Sequence, residues 1–356
     1  MLFGILRYFL ANLVILVHLW PGLNNWTAVY AVFGFYILSG YLMTFILKET
    51  YGFTIKGVKS YLQNRFLRIY PVYWLIMAAS IIVIAAFPVT SKTFKDTMEI
   101  PSNALDWIYN LIIFGLGNTF FLELGRVRII PPAWTLHIEF LFYILIPILA
   151  KTYKRTLLWF SLSLLYTVLV LAFDMPWGTR YRPLQAASLP FSIGALLFYV
   201  LNRSENGLKF DFNAKIFFGL LLGYICNLIF AESLGDPRLV SFYINLLFLT
   251  VIVAFLSRVP VEKVPKAILK IDQFLGDLSY PVYLIHWLVG LLVIILIFQG
   301  MIPPRYSHQG GILFFLSFPF INIFAALIHR MMEKPLGGLR DRIRGKSIDK
   351  FMEKAS

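Results

Sequence analysis

Long apolar runs alternate along this chain with short connections in which basic and aromatic residues concentrate. A helix needs roughly 17–25 predominantly apolar residues to cross a bilayer. Ten runs meet or approach that length: 4–20, 27–47, 70–87, 133–149, 156–173, 184–201, 214–231, 239–257, 280–299 and 311–331. The pattern predicts an all-α polytopic membrane protein with about ten transmembrane helices. An eleventh apolar stretch, WIYNLIIFGLGNTFF at 107–121, is ambiguous by pattern alone.

The basic residues decide how that stretch is read. If 107–121 crosses, Lys151, Lys154 and Arg155 fall on the opposite side from Lys56, Lys59, Arg65 and Arg68, against the tendency of cytoplasmic loops to hold the excess of Lys and Arg. If it is re-entrant or interfacial, 24 of the 32 basic residues fall on one face. The sequence therefore predicts both termini in the cytoplasm and 88–132 outside, dipping back into the membrane. The formal net charge of +14 then follows from topology and attraction to anionic lipid, and nucleic-acid binding is set aside.

Composition agrees, with 59% hydrophobic and only 14% charged residues. Cys226 is the single cysteine and lies in an apolar run, so neither an intrachain disulfide nor a cysteine metal site is expected. The five histidines are scattered with no i,i+4 pair, which is not metal-ligand spacing. No small-x-small cleavage site follows the first run, so it is kept as a spanning helix rather than a signal peptide. Residues 1–335 are read as one membrane domain. Residues 336–356 are read as a basic cytoplasmic tail, suited to a short interfacial helix.

Chemistry first shows in the opening run. Arg7 and His18 are eleven residues apart, within about 20° of three full turns, so they share a helix face and lie roughly 16 Å apart along the axis. A charged group inside a membrane helix costs about 2.5–3.5 kcal/mol or more and is retained mainly where it faces a cavity and performs a function.

Further motifs follow in order: FGFYILSGYLMT (33–44), RFLRIYPVYW (65–74), AWTLHIEFLFYILIP (133–147), LSYPVYLIHWLV (278–289) and HRMMEKP (329–335). With the Arg-x10-His helix they resemble the acyltransferase-3 family of membrane-embedded acyltransferases across nearly the whole chain. Thr135 stands where many relatives have serine, a change that keeps the hydroxyl. The resemblance implies transfer of an acyl group, usually acetyl from cytoplasmic acetyl-CoA as co-substrate, to a hydroxyl of a sugar or other acceptor, often a cell-surface glycan or glycolipid. It also implies a bacterial inner membrane; the SGNH hydrolase-like domain of some relatives is not expected here, which favours a stand-alone enzyme or one using a separate partner.

Acyl transfer to an alcohol needs a base or nucleophile and stabilisation of a developing oxyanion. His18 is the natural base, and Glu139 is the candidate partner to orient it. Arginine's planar fork suits phosphate oxygens, which makes Arg7, Arg65 and Arg68 the candidate coenzyme A ligands. Tyr283 and His286 are expected to line the donor channel, a few residues into a helix that starts inside. Trp134, His137, Ser39, Arg126 and Arg128 are weaker candidates for contacts with the acceptor. Direct transfer and a covalent acyl-enzyme both remain open on these residues. The readings from other classes are O-acylation of a small glycoside and secondary transport or flipping of a sugar or lipid-linked substrate.

Overall fold

A membrane interior offers no water to backbone N–H and C=O groups, and a helix satisfies them within one segment. The computed structural model describes residues 2–23, 26–119, 122–123, 125, 127–202, 214–305 and 307–355. Its helices are α1 (Gly4–Leu19), α2 (Thr27–Ile46), α3 (Ile55–Ala86), α4 (Pro88–Phe94), α5 (Ala104–Ile112), α6 (Ala133–Leu149), α7 (Tyr153–Ala172), α8 (Trp177–Tyr181), α9 (Leu184–Asn202), α10 (Ala214–Ile229), α11 (Val240–Ser257), α12 (Lys266–Leu296), α13 (His308–Ile328) and α14 (Lys334–Ala355). A two-residue ladder pairs Asn118–Thr119 with Leu122–Glu123. The chain is an all-α polytopic membrane protein. Among the described residues, seven helical spans are long and apolar enough to cross a membrane, and three shorter apolar helices, Gly4–Leu19, Ala133–Leu149 and Lys215–Ile229, account for the remaining apolar runs.

Two helices begin well before their apolar runs. Residues 48–69 and 258–279 read as loops in the sequence, yet α3 starts at Ile55 and α12 at Lys266. The Thr54 hydroxyl caps α3 by accepting from the Gly57 N–H at 3.1 Å, and the Lys, Arg and Gln residues that follow are good helix formers. Pro71 and Pro281 lie inside these helices without ending them, as membrane helices tolerate. At 32 residues α3 is roughly 48 Å long, well beyond the ~30 Å hydrocarbon thickness. Apolarity marks the part of a helix inside lipid, not its ends.

The ambiguous 107–121 stretch is not one helix. α5 has nine residues, about 14 Å, too short to cross. It stops at Ile113, whose φ of 64° is left-handed, and side chains of α3 satisfy its terminal carbonyls. Tyr73 donates to Asn110 O at 2.7 Å, Trp74 to Leu111 O at 2.9 Å and Tyr70 to Ile112 O at 2.6 Å. Asn110 then ties the returning chain by donating to Val127 O and accepting from Ile129 N–H.

The chain divides into two units. The first comprises Met1–Val14, Trp26–Thr44 and Ile148–Ser279. In it α2 and α9 approach through glycines: a Cβ on Gly40 would stand 2.1 Å from Phe191 O, and one on Gly194 would stand 2.0 Å from Ile37 O. Small residues of this kind let membrane helices pack at backbone distance. Asp272, buried, accepts from Ile5 N–H at 2.9 Å and so places a carboxylate at the positive end of α1. The second unit comprises Ile15–Asn25, Phe45–Pro147 and Tyr280–Ser356. α14 docks there on α3, where Asn64 donates to Arg340 O at 3.0 Å.

Candidate active site

The second unit brings two histidines together. His18 Nδ1 lies 2.8 Å from His286 Nε2, with the rings stacked at 5.1 Å and 17°. His286 Nδ1 lies 2.7 Å from the Tyr283 carbonyl. A carbonyl only accepts, so with both rings neutral His286 carries its proton on Nδ1 and its lone pair on Nε2. His18 Nδ1–H therefore donates to His286, and the lone pair of His18 is left on Nε2. No described residue hydrogen-bonds to that nitrogen. Both nitrogens of the buried His286 ring are engaged, one by the Tyr283 carbonyl and one by His18, so His286 orients and His18 is the ring left with a lone pair able to take a proton.

This corrects two sequence expectations. The position on His18 Nδ1 expected for Glu139 is taken by His286, and His286, expected nearer the inner end of its helix, lies against His18 instead. The reason lies in the true start of α12. His286 is 20 residues past Lys266, about 30 Å along the helix, instead of a few residues in.

Tyr283 holds the pair from behind. Thr135 Oγ1 lies 2.9 Å from Pro132 O and 2.6 Å from the Tyr283 hydroxyl. The single Thr135 proton goes to the carbonyl, so Tyr283 is the donor to Thr135. One residue thus fixes His286 through its carbonyl and engages the start of α6 through its hydroxyl. Thr135→Val is expected to destabilise the protein by about 1–3 kcal/mol, because buried polar groups lose their partner, and Thr135→Ser by less than about 1 kcal/mol. Thermal unfolding of both variants in one detergent checks this; equal melting temperatures would remove the hydroxyl from the argument.

Around His18 the chain places Trp287 at 5.3 Å from its ring, Phe94 at 4.9 Å from Trp287, and the Arg305 guanidinium over both aromatic rings at 4.9 Å and 5.6 Å. A Cβ on Gly290 would stand 2.8 Å from Leu19 and 3.2 Å from Phe94, so glycine permits this close meeting. Lys95 pairs with Asp96 at 2.8 Å, and its ammonium holds that exposed carboxyl below the ordinary carboxylate range.

Glu139 belongs to a second cluster in the same unit. It accepts from Tyr143 at 2.5 Å. Tyr143 meets Tyr61 edge-on at 6.5 Å, and Arg65 lies over Tyr61 at 5.8 Å. A cavity of about 660 Å³ opens beside this cluster, lined by Arg65, Phe66, Phe140, Tyr143, Ile144 and Ile343. Arg68 follows Arg65 on the same face of α3, within electrostatic reach of Tyr280.

The other sequence candidates are placed as follows. Arg7 and Ser39 lie in the first unit, Ser39 buried beside the tightly packed Gly40. His137 is fully buried and accepts from Gly115 N–H at 3.1 Å, which makes it a strut for the 113–117 turn rather than a group at a mouth. Trp134 is half-buried one residue before Thr135. Arg128 donates its backbone N–H to Thr97 O at 2.9 Å. Arg126 lies outside the described residues. Sequence reasoning missed Arg305, for which no motif or helical spacing gives a signal, and missed that Thr135 and Tyr283 are partners.

Fold and site together define an integral membrane protein with an oriented imidazole and a cavity lined in part by Arg65. The acyltransferase-3 family model, described as an acyltransferase domain, matches residues 3–331, and the chain belongs to that family. It is a transferase of acyl groups. No curated protein and no solved structure matches the chain.

Proposed function

We propose that the protein transfers an acyl group, acetyl from cytoplasmic acetyl-CoA, to a hydroxyl of a cell-surface or lipid-linked glycan at a bacterial inner membrane. The observation that carries this reading is the chain from Tyr283 O through His286 to His18, which leaves a lone pair on His18 Nε2.

The proton inventory follows from that lone pair. His18 Nε2 takes the acceptor's hydroxyl proton as the oxygen attacks the thioester carbonyl; the C–O bond forms, the C–S bond breaks, and the proton passes to the departing thiolate. His18 Nδ1–H stays on His286 throughout, so the ring does not turn between the two transfers. This arrangement serves the role that a carboxylate serves in a hydrolase triad, orientation and tautomer selection, with a carbonyl-anchored imidazole in its place. A covalent acyl-enzyme route would need the same base at each step.

Arg65 and Arg68 suit the phosphates of coenzyme A, and the adjoining cavity, apolar but for Gln63, Arg65 and Tyr143, suits an extended thioester arm. Both arginines sit on a rigid helix, which holds a binding group more precisely than a loop would.

The test is acceptor-dependent thiol release from acetyl-CoA by the purified protein, together with NMR of O-acetyl signals on surface polysaccharide from expressing and deletion strains. Thiol release that requires polysaccharide and matches new acetyl esters is the expected result. Release without esters would replace the glycan with a small acceptor, and neither signal would sink the acyl-CoA reading.

A further inference from the structure

Arg305 lies in the connection between α12 and α13, and its guanidinium reaches both the His18 carbonyl and the Trp287 ring that packs on the His18 imidazole. Its Nη1 donates to the His18 carbonyl at 3.2 Å. Its own carbonyl accepts from Gly22 N–H at 3.3 Å. Residue 305 therefore grips the end of α1 twice, on either side of Leu19. The last carbonyls of a helix have no intrahelical partner, and a basic side chain is a favourable cap for them. The guanidinium also lies over Phe94 and Trp287, and Trp287 packs against the His18 ring and follows His286 in the chain. One planar cation thus joins α1, α4 and α12 around one imidazole.

The connection itself is held in place. A Cβ on Gly310 would stand 2.3 Å from Arg305 O and 2.7 Å from Trp20, and one on Gly311 would stand 3.2 Å from Trp20. The start of α13 is therefore seated against the same turn of α1, and the backbone at 305 has little room to move.

We propose that Arg305 is a positioning residue: by fastening the carbonyl end of α1 and bracing Trp287, it holds His18 in register with His286, so that Nδ1–H stays paired and Nε2 stays the proton acceptor. The inference rests on the reading of His18 as the base. Arginine is required because two aromatic faces and one carbonyl must be met by a single flat group with several donors; an ammonium offers a point charge and no plane.

The test uses full-length protein in nanodiscs with Arg305→Ala and Arg305→Lys. Misplacement of about 1 Å at a reacting centre costs up to about 10²-fold. Arg305→Ala is therefore expected to lower kcat by about 10–100-fold with KM for both substrates nearly unchanged, and Arg305→Lys to recover only part of the loss. In parallel, NMR of 15N-histidine-labelled protein reads which nitrogen of His18 carries the proton. The wild type is expected to show Nδ1–H, and Arg305→Ala a mixture with Nε2–H. Should Arg305→Ala keep wild-type kcat, or lose activity only in step with folded protein while the histidine nitrogen signals stay unchanged, the proposal is overturned. The NMR comparison decides the point even for a wild type that transfers no acyl group, the outcome that would instead count against the function itself.

Discussion

His18→Ala is expected to lower kcat for acyl transfer by about 10²–10⁴-fold, the range a positioned general base contributes. The imidazole holds the only lone pair that the histidine chain presents outward, and no described neighbour can replace it in the same geometry. The KM for the donor should change little, because the arginine cluster on α3 is separate from this ring. Alanine has one side effect that must be controlled. It leaves the buried Nε2 of His286 without its donor, which costs roughly 1–3 kcal/mol of stability. His18→Asn resolves this, since its amide N–H₂ falls near the position of Nδ1 and keeps a donor for His286 while offering no basic nitrogen. Steady-state kinetics on both variants, normalised to folded protein, make the comparison. If His18→Asn turns over within a few-fold of wild type, His18 is not the base.

How much of this was legible in the sequence depends on whether the signal is one-dimensional. All ten apolar runs fall on helices because the demand for internal hydrogen bonding in lipid acts on each segment alone. The ends of α3 and α12 were not legible, because a helix that leaves the hydrocarbon is continued by good helix formers such as Lys56, Lys59 and Arg65, whose polarity resembles that of a loop. That error in α12 carried into the site: with the helix started at 280, His286 falls at the wrong depth to meet His18. That His18 stands apart from its apolar helix was legible from its spacing to Arg7. Its partner was not, because two helices far apart in sequence meet through tertiary packing. Thr135 shows an intermediate case. Its hydroxyl matches the serine of the resembling motif, yet its use as the acceptor for Tyr283 depends on α6 and α12 lying side by side. Arg305 left no trace, since a lone arginine after two prolines has no periodicity to mark it.

His286→Ala should cost less than loss of the base itself, about 10–10³-fold in kcat, because an orienting group acts through the nitrogen it holds rather than on the substrate. Without His286 Nε2 to accept from Nδ1–H, the His18 ring can exchange its proton between nitrogens and turn, and only a fraction of molecules then present Nε2 as the acceptor. His286→Gln places an amide oxygen near the former Nε2 and keeps an acceptor for Nδ1–H, so it should retain more activity than alanine. The decisive comparison is the double variant. If the two histidines work as one chain, His18→Ala with His286→Ala will be no slower than His18→Ala alone, since the second ring has nothing left to orient, and groups acting as a unit are non-additive in this way. If the two losses multiply instead, His286 acts on the substrate or donor independently, and its 2.8 Å contact with His18 is packing rather than the orienting hydrogen bond.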